Sequence, residues 1–68
     1  MNVERTGQVW EFRDEYTVET FIVLRSHSSE KFNEWWVYFM EKDEVTLLFE
    51  GTLLSSELGA APFWRRLA

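Results

Sequence analysis

The chain has 68 residues, a net charge of −5 from 12 acidic and 7 basic side chains, no cysteine and one histidine, His27. That length allows one domain, which buries only about 60% of its unfolded surface. Disulfides and thiolate metal sites are excluded, one histidine does not build a structural zinc site, and dense packing or self-association must supply the stability instead.

Met1–Thr6 is polar and reads as a flexible N-terminus, with the domain over residues 7–68. Val9–Arg13 alternates, placing Trp10 and Phe12 on one face, as in a half-buried strand. Asp14-Glu15 forms a turn. Tyr16–Arg25 is a second strand, with Val18, Thr20, Ile22 and Leu24 on one face and Glu19, Phe21, Val23 and Arg25 on the other. Ser26–Lys31 is polar and loop-like, and Phe32 is expected to tuck back against the domain or a partner.

Glu34–Met40 is the third strand and the most apolar segment. Trp35, Val37 and Phe39 face one way and Trp36, Tyr38 and Met40 the other. Helical spacing also links Trp35, Trp36, Phe39 and Met40, but the Trp, Val, Tyr and Phe content favours a strand. Glu41–Glu44 makes a hairpin tip. Glu44–Glu50 is the fourth strand, with Val45, Leu47 and Phe49 sharing a face, and Gly51 ends it. Ser55–Leu58 starts a short helical turn with a serine cap, stopped by Gly59. Phe63–Leu67 alternates again as a final strand. The expected fold is therefore all-β: a small five-stranded SH3-like barrel with a short helical turn before the last strand. Its expected core is Trp10, Phe12, Ile22, Leu24, Val37, Phe39, Leu47 and Phe49.

Two stretches carry a family likeness. Gly7-Gln8-Val9-Trp10-Glu11 resembles the first strand of the SH3-like toxins that cleave messenger RNA in toxin–antitoxin pairs, and Val23-Leu24-Arg25-Ser26 is similar to their second core strand. The chain also looks like small uncharacterised SH3-like proteins of bacteriophages and bacteria. The likeness implies the barrel fold. It does not carry the ribonuclease activity across, because this chain is shorter, acidic, and lacks an arginine directly after the turn of the first strand.

Few constellations here could carry chemistry. Ser26-His27-Ser28-Ser29-Glu30 holds hydrolase residue types, but as neighbours in a polar loop without a glycine-rich elbow. Glu41, Asp43 and Glu44 lack the glycine and the ligand count of a calcium loop. Glu11, Glu19 and Glu50 could cluster on one outer surface, or simply make the strands soluble. No cofactor, metal or catalytic residue is expected. Scattered basic residues, paired only at Arg65-Arg66, argue against nucleic acid as a partner. No apolar run approaches the ~20 residues that span a bilayer, and Met1–Arg5 lacks a signal-peptide pattern. A soluble, cytoplasmic protein without a membrane partner is the expectation.

The aromatic residues are the best functional lead. The chain has 12, four of them tryptophan, and a core this small does not easily enclose four indoles. Trp and Tyr left at a surface make binding hot spots. The candidate contacts are Trp36, Tyr38, Trp64 and Arg66. The expected function is a non-catalytic protein-binding or regulatory module, in the manner of a phage-encoded inhibitor of a host protein, or a homodimer using the outer face of the Trp35–Met40 strand. The alternatives are an oligomer with an aromatic pocket for a nucleotide-type ligand and, least favoured, a toxin-like ribonuclease.

Overall fold

The computed structural model describes residues 4–28 and 33–68. Five antiparallel strands form one sheet in the order β4-β3-β2-β1-β5. They are β1 (Val9–Arg13), β2 (Val18–Ser28), β3 (Asn33–Phe39), β4 (Glu44–Phe49) and β5 (Trp64–Arg66). A 3-10 turn, Met40–Lys42, joins β3 to β4, and one helix, α1 (Glu50–Glu57), joins β4 to β5. The all-β expectation holds. The sheet is open, with β4 and β5 as its two edges.

Each strand follows from local chemistry. The β1–β2 turn is closed by Asp14, whose carboxylate accepts the backbone N–H groups of Tyr16 and Thr17 and the Thr17 hydroxyl, at 2.8, 2.8 and 3.0 Å. These bonds favour the ionised carboxylate and lower its pKa. At the β3–β4 connection Asp43 takes the left-handed conformation, φ 51°, which Asp tolerates better than most residues. The helix ends in a Schellman arrangement at Gly59, φ 80°. The Gly59 N–H donates to the Ser56 carbonyl and the Ala60 N–H to that of Ser55.

The inner face holds the core: Trp10, Phe21, Val23, Trp35, Val37, Phe39 and Leu53, with Phe12, Leu48 and Trp64 packed against them. Leu53 brings α1 onto this face and is fully buried. An aromatic chain runs through it, with ring centroids 5.2 Å apart for Phe12–Trp64, 5.3 Å for Phe21–Trp64 and 4.6 Å for Phe21–Phe39.

Four expected core residues lie elsewhere. On β2 the core residues are Phe21 and Val23, while Ile22 is half-buried on the outer face and Leu24 is exposed. Arg25 makes the Phe21 and Val23 face look polar, and a bulge removes it from that face: Val23 pairs with Val37 but Arg25, not Leu24, pairs with Trp36. The extra residue shifts Arg25 off the core face, which strict alternation from Val23 would give it. On β4, Leu48 turns inward while Leu47 and Phe49 are exposed. Glu50 made that inward face look polar, although its carboxylate is engaged inside the fold.

Other boundaries shift as well. Ser26, His27 and Ser28 belong to β2 rather than to a loop. Met40 leaves the third strand for the 3-10 turn. The helix begins at Glu50, so Gly51 lies inside it and Ser55 does not cap it. The final strand is limited to Trp64–Arg66. Phe32 lies outside the described residues.

Arg5, within the segment expected to be a flexible tail, is 0% exposed. Its guanidinium donates to both oxygens of Glu50, to Glu57 at 2.6 Å and to Gln8 at 3.3 Å. Two core indoles join the same cluster. The Trp10 N–H donates to Gln8 at 2.9 Å and the Trp35 N–H to Glu50 at 2.9 Å. The guanidinium also lies 5.8 Å from the Trp10 ring centroid. Every guanidinium nitrogen has a hydrogen-bond partner, and no buried side-chain N or O atom among the described residues is left without one, which is the condition on which a charge is tolerated in an interior.

Two predictions follow from this cluster. Arg5→Ala leaves Glu50 without its cation and is expected to cost about 3–5 kcal/mol in urea unfolding, against less than about 0.5 kcal/mol for a residue in a solvated tail. The second concerns acid. Hydrogen bonding from Arg5 holds the Glu50 carboxyl below its ordinary 4.5, so its contribution is present above that value and lost as pH falls through the depressed folded pKa. Stability of the wild type should decline on acidification below about pH 4.5. Glu50→Gln should be less stable at pH 7, with a visibly shallower acid decline in the same titration.

Candidate functional site

The outer face is built by the residues that alternate with the core. Pairing brings them into rows across the sheet. Val9 lies opposite Ile22, Ile22 opposite Tyr38, and Tyr38 opposite Val45. At the β5 end the Leu67 N–H donates to the Val9 carbonyl at 2.7 Å. A second row runs Arg25, Trp36, Leu47. Val45 is 53% and Leu47 38% exposed. The result is an apolar stripe across a sheet whose helix packs on the opposite side.

Trp36 is the centre of this surface. The Arg25 guanidinium sits 5.8 Å from its ring centroid, and His27 meets it edge-on at 5.4 Å. Both contacts depend on the bulge, which places Arg25 and His27 on the face of Trp36. They hold the indole at the surface in one orientation. The Tyr38 hydroxyl donates to the Asp43 carboxylate. The phenolate would lose that bond and face a like charge, so the pKa of Tyr38 is raised.

The four sequence candidates divide between the two faces. Trp36 and Tyr38 share the outer face. Trp64 packs inward against Phe12 and Phe21. Arg66 lies opposite Trp10 in the β5–β1 pairing and donates to the Ala68 carbonyl at 2.9 Å. The residues that join Trp36 and Tyr38 are Val9, Ile22, Val45 and Leu47. For Ile22, Val45 and Leu47 the signal is the second apolar face of β2 and β4, where alternation alone puts Ile22 and Leu47 in the core; Val9 alternates with Trp10 on β1.

The other constellations do not come together among the described residues, and Ser29 and Glu30 lie outside them. Ser26 and His27 are consecutive strand residues, so their side chains leave opposite faces of the sheet. Glu41 accepts the Thr20 N–H at 2.8 Å, while Asp43 is bonded to Tyr38. Among the described residues no group of three or more His, Cys, Asp or Glu side chains is placed to hold a metal ion. Glu11 and Glu50 do not cluster, since Glu50 is bound to Arg5 on the inner side and Glu11 to Arg13 and Arg65 on the outer. No helix among the described residues is long and apolar enough to cross a membrane. No protein-family model, curated protein or solved structure matches the chain.

Adjacent tryptophans with opposite roles give a direct test. Trp35→Ala removes a buried indole and should cost about 3–5 kcal/mol in chemical denaturation. Trp36→Ala removes a half-buried indole on the outer face and its Arg25 contact, at about 1–2 kcal/mol. Equal losses at the two positions would contradict the assignment of faces.

Proposed function

We propose that the chain is a non-catalytic protein-binding module that docks its partner on the outer face of β2, β3 and β4. One observation carries the reading: an apolar stripe through Val9, Ile22, Tyr38 and Val45 runs beside an oriented Trp36, on the side away from α1. An oriented aromatic with a short apolar row around it is the make-up of an interface hot spot. Contiguous apolar surface of this kind on a small acidic protein marks an interaction site more often than a packing defect. The strand order and the helix before β5 support reading the sheet as an opened relative of the SH3-like barrel.

The binding residues are Trp36, Tyr38 and Leu47, with Arg25 as an orienting and hydrogen-bonding group. Trp64 and Arg66 fall outside this surface.

The test is comparative capture from an extract of the source cells. Immobilised wild-type protein should retain a stoichiometric protein partner. Trp36→Ala should lose it and Arg66→Ala should keep it, with all three forms folded by near-ultraviolet circular dichroism. Identical capture by wild type and Trp36→Ala would sink the reading. Sedimentation showing a dimer that Trp36→Ala dissociates would make a second copy the occupant of the face.

A further inference from the structure

Away from Trp36, beside edge strand β5, Glu11, Arg13, Pro62, Phe63 and Arg65 line an open cleft of about 460 Å³. Two backbone features fix its walls. Glu11 pairs with Arg65 across β1 and β5, and the Arg13 N–H donates to the Phe63 carbonyl at 2.8 Å. Pro62 and Phe63 form the apolar side, and Phe63 is exposed apart from its contact with Phe12.

The polar side is a preset pair of arginines. Glu11 is buried, and its Oε1 accepts the Nε–H of Arg13 at 3.2 Å and that of Arg65 at 3.0 Å. Donation through Nε fixes the plane of each guanidinium and leaves its Nη groups free. Those Nη groups make no further hydrogen bond among the described residues. Two cations share the one carboxylate of the cleft, and Glu41 is the next carboxylate near Glu11.

We infer that this cleft is a carboxylate-binding site, taking a monoanionic carboxylate carried on an apolar body. The Nη groups of Arg13 and Arg65 hold the carboxylate oxygens, in the planar geometry that guanidinium and carboxylate share. Phe63 and Pro62 cover the apolar body. A phosphate dianion would lie beside the fixed negative charges of Glu11 and Glu41 and be repelled about twice as strongly as a monoanion. The inference is independent of docking at Trp36, because none of the cleft residues belongs to that surface.

The experiment is a nitrogen-15 NMR titration of the whole protein with N-acetylphenylalaninate, N-acetylphenylalaninamide and inorganic phosphate. The carboxylate should shift the Arg13 and Arg65 Nε–H signals and the β1 and β5 amides saturably. The amide, identical but for the charge, should bind at least about tenfold more weakly, as loss of charge-assisted hydrogen bonds requires. Arg13→Gln and Arg65→Gln should each weaken the carboxylate by a similar factor, and Trp36→Ala should leave it unchanged. Equal binding of the amide, tighter binding of phosphate, or undiminished binding in both glutamine variants would overturn the assignment. Were both variants unfolded, the wild-type comparison of carboxylate with amide would decide it alone.

Discussion

The buried guanidinium of Arg5 is the constraint on which the rest of this small domain depends. A charge in an interior is tolerated only when paired and hydrogen-bonded, and its charged partners here come from a distant part of the chain. Glu50 and Glu57 come from the helix, and Gln8 from the lead-in to β1. Through Gln8 and Glu50 the same cluster fixes the indoles of Trp10 and Trp35. It therefore ties the first residues of the domain to the helix and to two of the largest core side chains. Such a cluster is not evidence of a large net stabilisation, since desolvation offsets much of the Coulomb attraction. What it does is make one arrangement of helix and sheet far better satisfied than its alternatives.

That arrangement determines which face of the sheet remains open. Once Glu50 is drawn inward to Arg5 and Trp35, Leu48 turns toward the core and Leu47 and Val45 turn out. The bulge after Val23 does the same for β2, sending Arg25 and His27 to the side of Trp36. One sheet thus has two apolar faces, and α1 covers only one. The surface proposed for docking is the other, and its composition follows from the packing of the core.

The strands were legible in the sequence because alternation and turn chemistry are local. Val9–Arg13 is recovered whole, and the facing of Trp35, Val37 and Phe39 is as alternation requires. Trp36 and Tyr38 were legible as surface candidates for the same reason. The faces of β2 and β4 were not. In each strand both faces are apolar, so the choice rests on a polar residue at the end, Arg25 or Glu50. Each of these misleads, one because a bulge breaks the alternation and the other because its charge is paired inside the fold. Arg5 was illegible for a related reason. A lone arginine in a polar lead-in looks solvated until partners 45 and 52 residues away are brought to it. The meeting of Glu11 with Arg65 likewise needs β5 to close on β1, which pattern alone does not dictate.

The most direct test of this account is the exchange of the indole N–H protons of Trp10 and Trp35, followed by NMR in heavy water. If both are held by the Arg5 cluster, they should exchange only through global unfolding and share the protection of the slowest β2 and β3 amides. Exchange at the rate of the indole N–H of free tryptophan would contradict it, and would mean that Arg5 does not bind the helix and sheet together.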